Sequence, residues 1–262
     1  MIKRRIFLTG AAAAAGTTFL PFRLSAEGHG TADMFETANG TITVHPVEHA
    51  SVVLETPAGL VFIDPVGDAA QYEAWGTPDV IFITHEHGDH YNAEVLAALA
   101  GESTKLITNP AVFDMMPAEL QGMAVSMANG DSGTVGDIGV EAIPAYNLDP
   151  EKQNFHPQGR DNGYVLTVDG MRIYVSGDTE DIPEMRALEN IDLAFVCMNL
   201  PFTMPKEAAA DAVNEFAPTY VYPYHYRGRD GGTQDPREFA ELVGDQTEVK
   251  IGDWYGGEVM PS

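Results

Sequence analysis

Residues 79–90 read DVIFITHEHGDH. The apolar run Val80 to Ile83 has the look of a buried strand, hydrophobic on both faces. Directly behind it, three histidines and an aspartate fall within six positions. His85 and His87 are two apart, so on extended backbone their rings point the same way. Gly88 is expected to let the chain turn toward a following helix, with Asp89 and His90 carried on the turn. One loop at the C-terminal end of a strand can thus aim four donors into a single cleft. Imidazole nitrogens with a carboxylate suit Zn²⁺, and Fe or Mn can take the same set. The alternative is a solvated polar loop whose histidines are satisfied locally.

Working outward, the pattern before and after this loop repeats. TITVHP (41–46) and SVVLET (51–56) are β-rich, and a turn at Pro57-Ala58-Gly59 leads into LVFIDP (60–65), a hairpin whose second strand ends in Asp64. DAAQYEAWG reads as a short helix, then comes the 80–83 strand, a helix at YNAEVLAALA, a strand at TKLITN, a helix near PAVFDMM and short strands through GTVGDIGVEAIPA. The second half follows the same plan. GYVLTV, the turn Asp169-Gly170 and MRIYVSGD form a hairpin running into Asp178. IPEMRALEN, IDLAFVCM, KEAAADAVNEFA, TYVYPYH and PREFAELV then alternate helix and strand. The fold class is therefore α/β (α+β): two similar halves with helices outside and their sheets facing, a four-layer αβ/βα sandwich over residues 41–262.

The chain has 262 residues, enough for one large domain, and a formal net charge of −25. So acidic a surface repels phosphate backbones, which argues against nucleic acid as a partner; it suits a small-molecule substrate that is neutral or cationic, or simply solubility in a salty medium. The single cysteine, Cys197, sits in the apolar stretch IDLAFVCMNL and is expected to be a buried small hydrophobe rather than a nucleophile or a ligand. Residues 1–26 have a basic start, a weak apolar stretch and small residues at 24–26, the layout of a cleaved export signal. Arg4 and Arg5 resemble a twin-arginine signal, which would deliver a folded protein to the periplasm without lasting membrane association. Cleavage there removes Lys3, Arg4, Arg5, Arg23 and no acid, taking the charge from −25 to −29. Residues 27–40 read as a flexible lead-in, and His29 within it has no expected role.

The motif HxHxDH, here His85, His87, Asp89 and His90, resembles the signature of the metallo-β-lactamase fold superfamily of metallohydrolases. SVVLETPAGLVFIDP before it, SGDT with Asp178, and YPYHY with His225 follow in the order expected of that family. PAYN, FHPQGRDNGYVL, GDTEDIPEM and FTMPKEAA are most similar to the branch that includes L-ascorbate-6-phosphate lactonase and other metal-dependent hydrolases. The resemblance implies His85 and His87 as ligands of a first ion, Asp89 and His90 as ligands of a second, Asp178 as the bridge and His225 as the completing ligand. The first ion needs one more histidine, and only His156 lies between His90 and Asp178. Relatives place that ligand directly after the strand ending near Pro144-Ala145, where this chain has Tyr146 and Asn147.

The resemblance also implies that Asp64 steadies a ligand histidine, although a strand-ending Asp before Pro needs no such role. His45 is expected to be structural, and for His49, in HAS before the first hairpin, a structural role is preferred over an approach to the cleft. Two Zn²⁺ ions (Mn²⁺ or Fe²⁺ as substitutes) sharing a hydroxide would attack an ester, lactone or phosphoester of a small molecule. Asp89 would orient that hydroxide and shuttle its proton, and the leaving group would take a proton either from metal-bound water or from Tyr226 or Tyr224. Arg160, Arg227 and Arg229 are candidates to clamp a carboxylate or phosphate. Two other functions fit the same chain: a non-catalytic exported metal binder, and a diiron oxidoreductase. The second is disfavoured because diiron proteins carry Glu where His87 stands.

Overall fold

The apolar runs become two seven-stranded sheets whose order follows the chain. The structure, a computed structural model, describes residues 32–256; the expected export signal at 1–26 lies outside them. The first sheet holds β1 (Asp33–Glu36), β2 (Thr41–Glu48), β3 (Ser51–Thr56), β4 (Gly59–Ile63), β5 (Val80–Phe82), β6 (Lys105–Thr108) and β7 (Ala124–Ser126). The second holds β8 (Ser132–Val135), β9 (Ile138–Ala145), β10 (Asp161–Val168), β11 (Met171–Val175), β12 (Leu193–Cys197), β13 (Tyr220–Tyr224) and β14 (Glu248–Val249). In each, four antiparallel strands are followed by three added in parallel. The two halves therefore match strand for strand, as expected from the repeated hairpin-then-acid pattern.

Strand periodicity decides which side chains face which layer. Val52, Leu54, Val61, Ile63, Val80, Phe82 and Ile107 join the core between the sheets. Their neighbours Val53, Phe62, Ile81 and Leu106 face the other way, into a second core under the first half's helices. These helices are α1 (Ala93–Leu99), α2 (Pro110–Met115) and α3 (Ala118–Gln121). Asn92 and Asn109 cap the first two by accepting backbone N–H groups. Helices α4 (Pro183–Arg186), α5 (Lys206–Phe216) and α6 (Pro236–Leu242) pack side by side over the second half. Layer order is thus helix, sheet, sheet, helix. None of the described helices is long and apolar enough to cross a membrane.

Three expectations need correction. DAAQYEAWG forms only a 3₁₀ turn at Ala69–Tyr72. The flexible lead-in does not run to residue 40, because β1 pairs along β2. A four-residue strand with one buried anchor leaves little periodic signal; Phe35 packs its ring 4.8 Å from Tyr220, and Tyr222 donates a hydrogen bond to Asp33. Gly88 is not needed for turning, since its φ is ordinary and a Cβ there would meet open space. Gly177 is the glycine that the site requires. It has φ 61°, and a Cβ would sit 2.8 Å from the Asn162 carbonyl and 3.1 Å from Thr84.

Because Phe35 joins an edge strand of one sheet to the rings of the other, Phe35→Ala should cost about 3 kcal/mol of unfolding free energy, read by urea denaturation. A change within experimental error would mean that β1 is not part of the cooperative fold.

Candidate metal centre

Where β4 ends, Asp64 takes a left-handed conformation (φ 44°) and is fully buried. Its Oδ1 accepts from the Thr84 N–H (2.8 Å), and its Oδ2 accepts from the Thr84 hydroxyl (2.6 Å) and from His90 Nδ1 (2.8 Å). A carboxylate can only accept here, so His90 carries its proton on Nδ1 and turns Nε2 inward. The Thr84 hydroxyl, having donated to Asp64, accepts from His85 Nδ1 at 3.0 Å and turns that ring's Nε2 inward too. The His87 carbonyl then accepts the N–H groups of both His90 and Tyr91, folding the loop so that its donors converge.

The second half supplies the rest. Asp178 sits at the junction, its Oδ1 3.4 Å from His90 Nε2 and 3.3 Å from His225 Nε2, its Oδ2 3.4 Å from His156 Nε2. His85, His87 and His156 form one group of converging donors, and His85, His90 and Asp178 another. Asp89, His225 and His49 make a third. His49 was under-read in the sequence: it occupies the β2–β3 turn with φ 54°, its Nδ1 bonded to the Tyr255 hydroxyl (3.0 Å) and its Nε2 3.4 Å from Asp89 Oδ2. A histidine in a tight turn gives no periodic signal of where its ring will point.

His156 reaches the cluster although Tyr146 and Asn147 hold the position after β9. The chain loops out and returns, so that the Asn147 N–H donates to the His156 carbonyl at 2.9 Å. The Asn147 side chain donates to the carbonyls of Lys152 and Phe202, and Glu180 accepts from Leu148, Asp149 and Lys152. His156 Nδ1 lies 3.1 Å from Asp161 Oδ2, and Arg160 grips both oxygens of Asp161 (2.6 and 2.9 Å) while its third nitrogen pairs with Glu86 (2.8 Å). Arg160 is therefore spent on the scaffold and is not a substrate clamp. Glu86 faces Arg160, away from the converging donors. The diiron alternative, which places a glutamate at the position of His87, finds none in this cluster.

Two other residues come out differently from expectation. Tyr226 is fully buried, its ring 5.0 Å from Tyr255, and it does not line the cleft. Burial pushes its phenol up to about 12, and its hydroxyl lies outside the cleft that the expected proton donor would have to line. The chain turns at His225 (φ 48°), which sends the next ring away from the cluster. Tyr224 is likewise in the core, against Trp254. Asn199, unremarked in the sequence, is buried beside the donors. Its Oδ1 accepts from Thr203 (2.6 Å), which aims its Nδ2 at His225 Nε2 (3.1 Å). Cys197 is buried, and burial pushes its thiol up to about 12, as fits a packing residue.

The donor set fits metal ions on its own chemistry. His85 Nε2 and His87 Nδ1 face each other at 3.1 Å, and two imidazole nitrogens that close need a shared cation or proton. His90 Nε2 and Asp178 Oδ1 are buried and without hydrogen-bond partners, a costly arrangement unless a cation joins them. Burial holds His85 well below the ordinary imidazole value, and burial with the neighbouring His156 lowers His87. Burial also brings His225 down to about 4, against the pull of Asp178. His90 is the exception: burial would lower it, but Asp178 and the Asp64 hydrogen bond raise it to about 9. Asp178 is buried, yet His225 and His90 hold it well below the usual carboxylate range. Asp89 is held down too, since the His49 hydrogen bond and the charges of His90 and His225 outweigh desolvation.

Comparisons with known proteins agree with this reading of the site. Residues 43–225 match the model of the beta-lactamase superfamily domain. A UPF0173 metal-dependent hydrolase of Thermococcus onnurineus is 33% identical over 178 residues, covering 66% of this chain and 78% of the relative. Another, from Anaeromyxobacter dehalogenans, is 30% identical and covers 82% of this chain and 85% of the relative. The crystal structure of a protein from Parabacteroides distasonis assigned as a metal-dependent hydrolase superposes with a TM-score of 0.77 at 36% identity, over 86% of this chain and 99% of that one. A metallo-β-lactamase fold protein of Bacillus subtilis, 14% identical with a TM-score of 0.63, shares the fold.

Two outcomes are expected. With its pKa raised to about 9, His90 of the metal-free protein holds two protons below that pH, so metal uptake at Nε2 must expel one. Zinc titration calorimetry at pH 7.5 in buffers of different ionisation enthalpy should show about one proton released from this ring, falling away above about pH 9.5. Arg160→Lys keeps the charge but loses the fork on Asp161, and should weaken metal binding at the group that contains His156 by about 10–100-fold.

Proposed function

The chain belongs to the β-lactamase superfamily of metal-dependent hydrolases, and from that membership we propose a binuclear zinc enzyme that cleaves an ester, lactone or phosphoester of a small molecule. The observation that carries the proposal is the position of Asp178, whose two oxygens face histidines from both sides of the cluster. In this reading His85, His87 and His156 would hold one ion and Asp89, His90 and His225 the other, with Asp178 offering an oxygen to each group. When bound, such ions supply a water acidified from a pKa of about 15.7 to roughly 7 and a Lewis acid for the oxygen of the scissile bond.

The chain's own residues do the rest. Asp89, with a half-exposed side chain, stays ionised and orients the attacking water through its carboxylate. His49 steadies that carboxylate by donating from Nε2, its other nitrogen being fixed by Tyr255. Asn199 presents Nδ2 as a fixed donor for oxygen charge developing in the transition state. With Tyr226 turned away, His49 is the proton carrier nearest to Asp89. We extend the proposal to location: the layout of residues 1–26 supports export to the periplasm, which suits a protein that folds around its metal first.

Elemental analysis tests the assignment. Wild-type protein should hold about two zinc equivalents and His156→Ala about one, with turnover of a screened ester, lactone or phosphoester falling at least ~100-fold. One equivalent in both proteins would remove His156 from the ligand set and the second ion from the proposal. Two equivalents without turnover on any substrate class would favour a metal-binding protein that does not catalyse.

A further inference from the structure

The stretch that matches the beta-lactamase superfamily domain ends at residue 225, yet the chain beyond it returns to the metal centre. After β14, residues 250–256 cross from the second half to the first. Lys250 N–H still donates to the Val221 carbonyl of β13 (2.8 Å), and at Gly252 a Cβ would lie 2.8 Å from Pro46 of β2. Trp254 is buried among Phe195, Tyr222 and Tyr224, and its indole N–H donates to the Ser51 carbonyl (3.2 Å). The Ser51 hydroxyl in turn donates to the carbonyl of Asp64 (2.6 Å). Tyr255, the next residue, has its hydroxyl 3.0 Å from His49 Nδ1. Two consecutive side chains thus hold the β2–β3 turn, one at Ser51 and one at His49.

Hydrogen-bond roles follow from the partners. Asp89 is ionised and can only accept, so the neutral His49 ring, with Nε2 3.4 Å from Asp89 Oδ2, carries its proton on that nitrogen. Such a ring can only accept at Nδ1, and its partner there must donate. The Tyr255 phenol is suited to this, because it accepts from the Arg227 backbone N–H and keeps its own proton for His49. Burial raises the phenol, which therefore stays a donor. The ring itself is held, its centroid 5.0 Å from that of Tyr226 at 72° and 4.1 Å from the Arg227 guanidinium carbon.

We propose that Tyr255 is a positioning residue of this centre: its hydroxyl donates to His49 Nδ1, fixes the His49 proton on Nε2, and so holds the half-exposed Asp89 carboxylate toward its ion. Without the hydroxyl, the proton is free to move to Nδ1. A bare Nε2 lone pair would then face the carboxylate, and the two acceptors repel. The link to an ion rests on the two-ion reading of the site, whereas the link between phenol and imidazole rests on their distance alone.

Tyr255→Phe isolates the hydroxyl, because the ring and its packing remain. In zinc-loaded full-length protein carrying isotope-labelled histidine, long-range nitrogen–proton NMR reads the His49 ring, assigned by the loss of its signals in His49→Gln. The wild type should show one tautomer, protonated on Nε2, and Tyr255→Phe a mixture that includes Nδ1. Calorimetric zinc titration of the same proteins should show one binding step weakened about tenfold in Tyr255→Phe. A packing role alone moves neither readout. The same tautomer in both proteins, or a wild-type proton on Nδ1, overturns the proposal, and so does a shifted tautomer with unchanged zinc affinity. A single zinc equivalent in the wild type, bound less tightly and with a shifted tautomer in Tyr255→Phe, would sink the two-ion reading and leave Tyr255 in its role. A wild type that binds no zinc overturns both.

Discussion

Everything at the centre depends on where one buried carboxylate sends its two oxygens. Asp64 fixes the strand end through Thr84 and the tautomer of His90 directly, and it reaches His85 through the Thr84 hydroxyl. Removing it would leave a buried threonine and two buried imidazoles without orientation, the kind of unpaired interior polarity that costs several kcal/mol. Its left-handed backbone is the strain that this geometry carries, held in place by the Ser51 hydroxyl on its carbonyl and the Phe82 carbonyl on its N–H.

The same topological position does different work in the two halves. Asp64 follows β4 and Asp178 follows β11, the fourth strand of each sheet. The first acid is turned inward to hold histidines by their outer nitrogens. The second is displaced by Ser176 and Gly177, and the close approach of Gly177 to Asn162 and Thr84 lets it stand between the inner nitrogens. Two copies of one plan thus supply a frame and a bridge, and the site lies where the two sheets meet.

What the sequence disclosed, and what it hid, follows from distance along the chain. The loop after β5 was readable because its donors are neighbours and its strand is continuous and apolar. The hairpins were readable because Asp169-Gly170 and Pro57-Ala58 are local turn chemistry. The four layers followed from repetition. By contrast, the pairing of Arg160 with Glu86, the approach of His49 to Asp89 and the aim of Asn199 all join segments far apart in sequence, and no local pattern announces them. Tyr226 was misread for a related reason: adjacency to His225 does not survive a left-handed turn. Gly88 was misread because a glycine in a polar loop need not take a positive φ, and here neither torsion nor crowding requires it.

The closure between Asn147 and His156 has an evolutionary consequence. Because the loop is sealed at its neck, the exposed part of 148–155, away from the bonds that tie Leu148, Asp149 and Lys152 to Glu180, can change in length or content without moving the histidine beyond it, and lengthening a closed loop costs only about 0.6 kcal/mol per doubling. Phe155 belongs to that interchangeable segment and yet forms part of the cleft wall. Descendants of this chain could therefore explore new substrates through one short insertion while inheriting the donor cluster intact, so that selectivity drifts and chemistry does not.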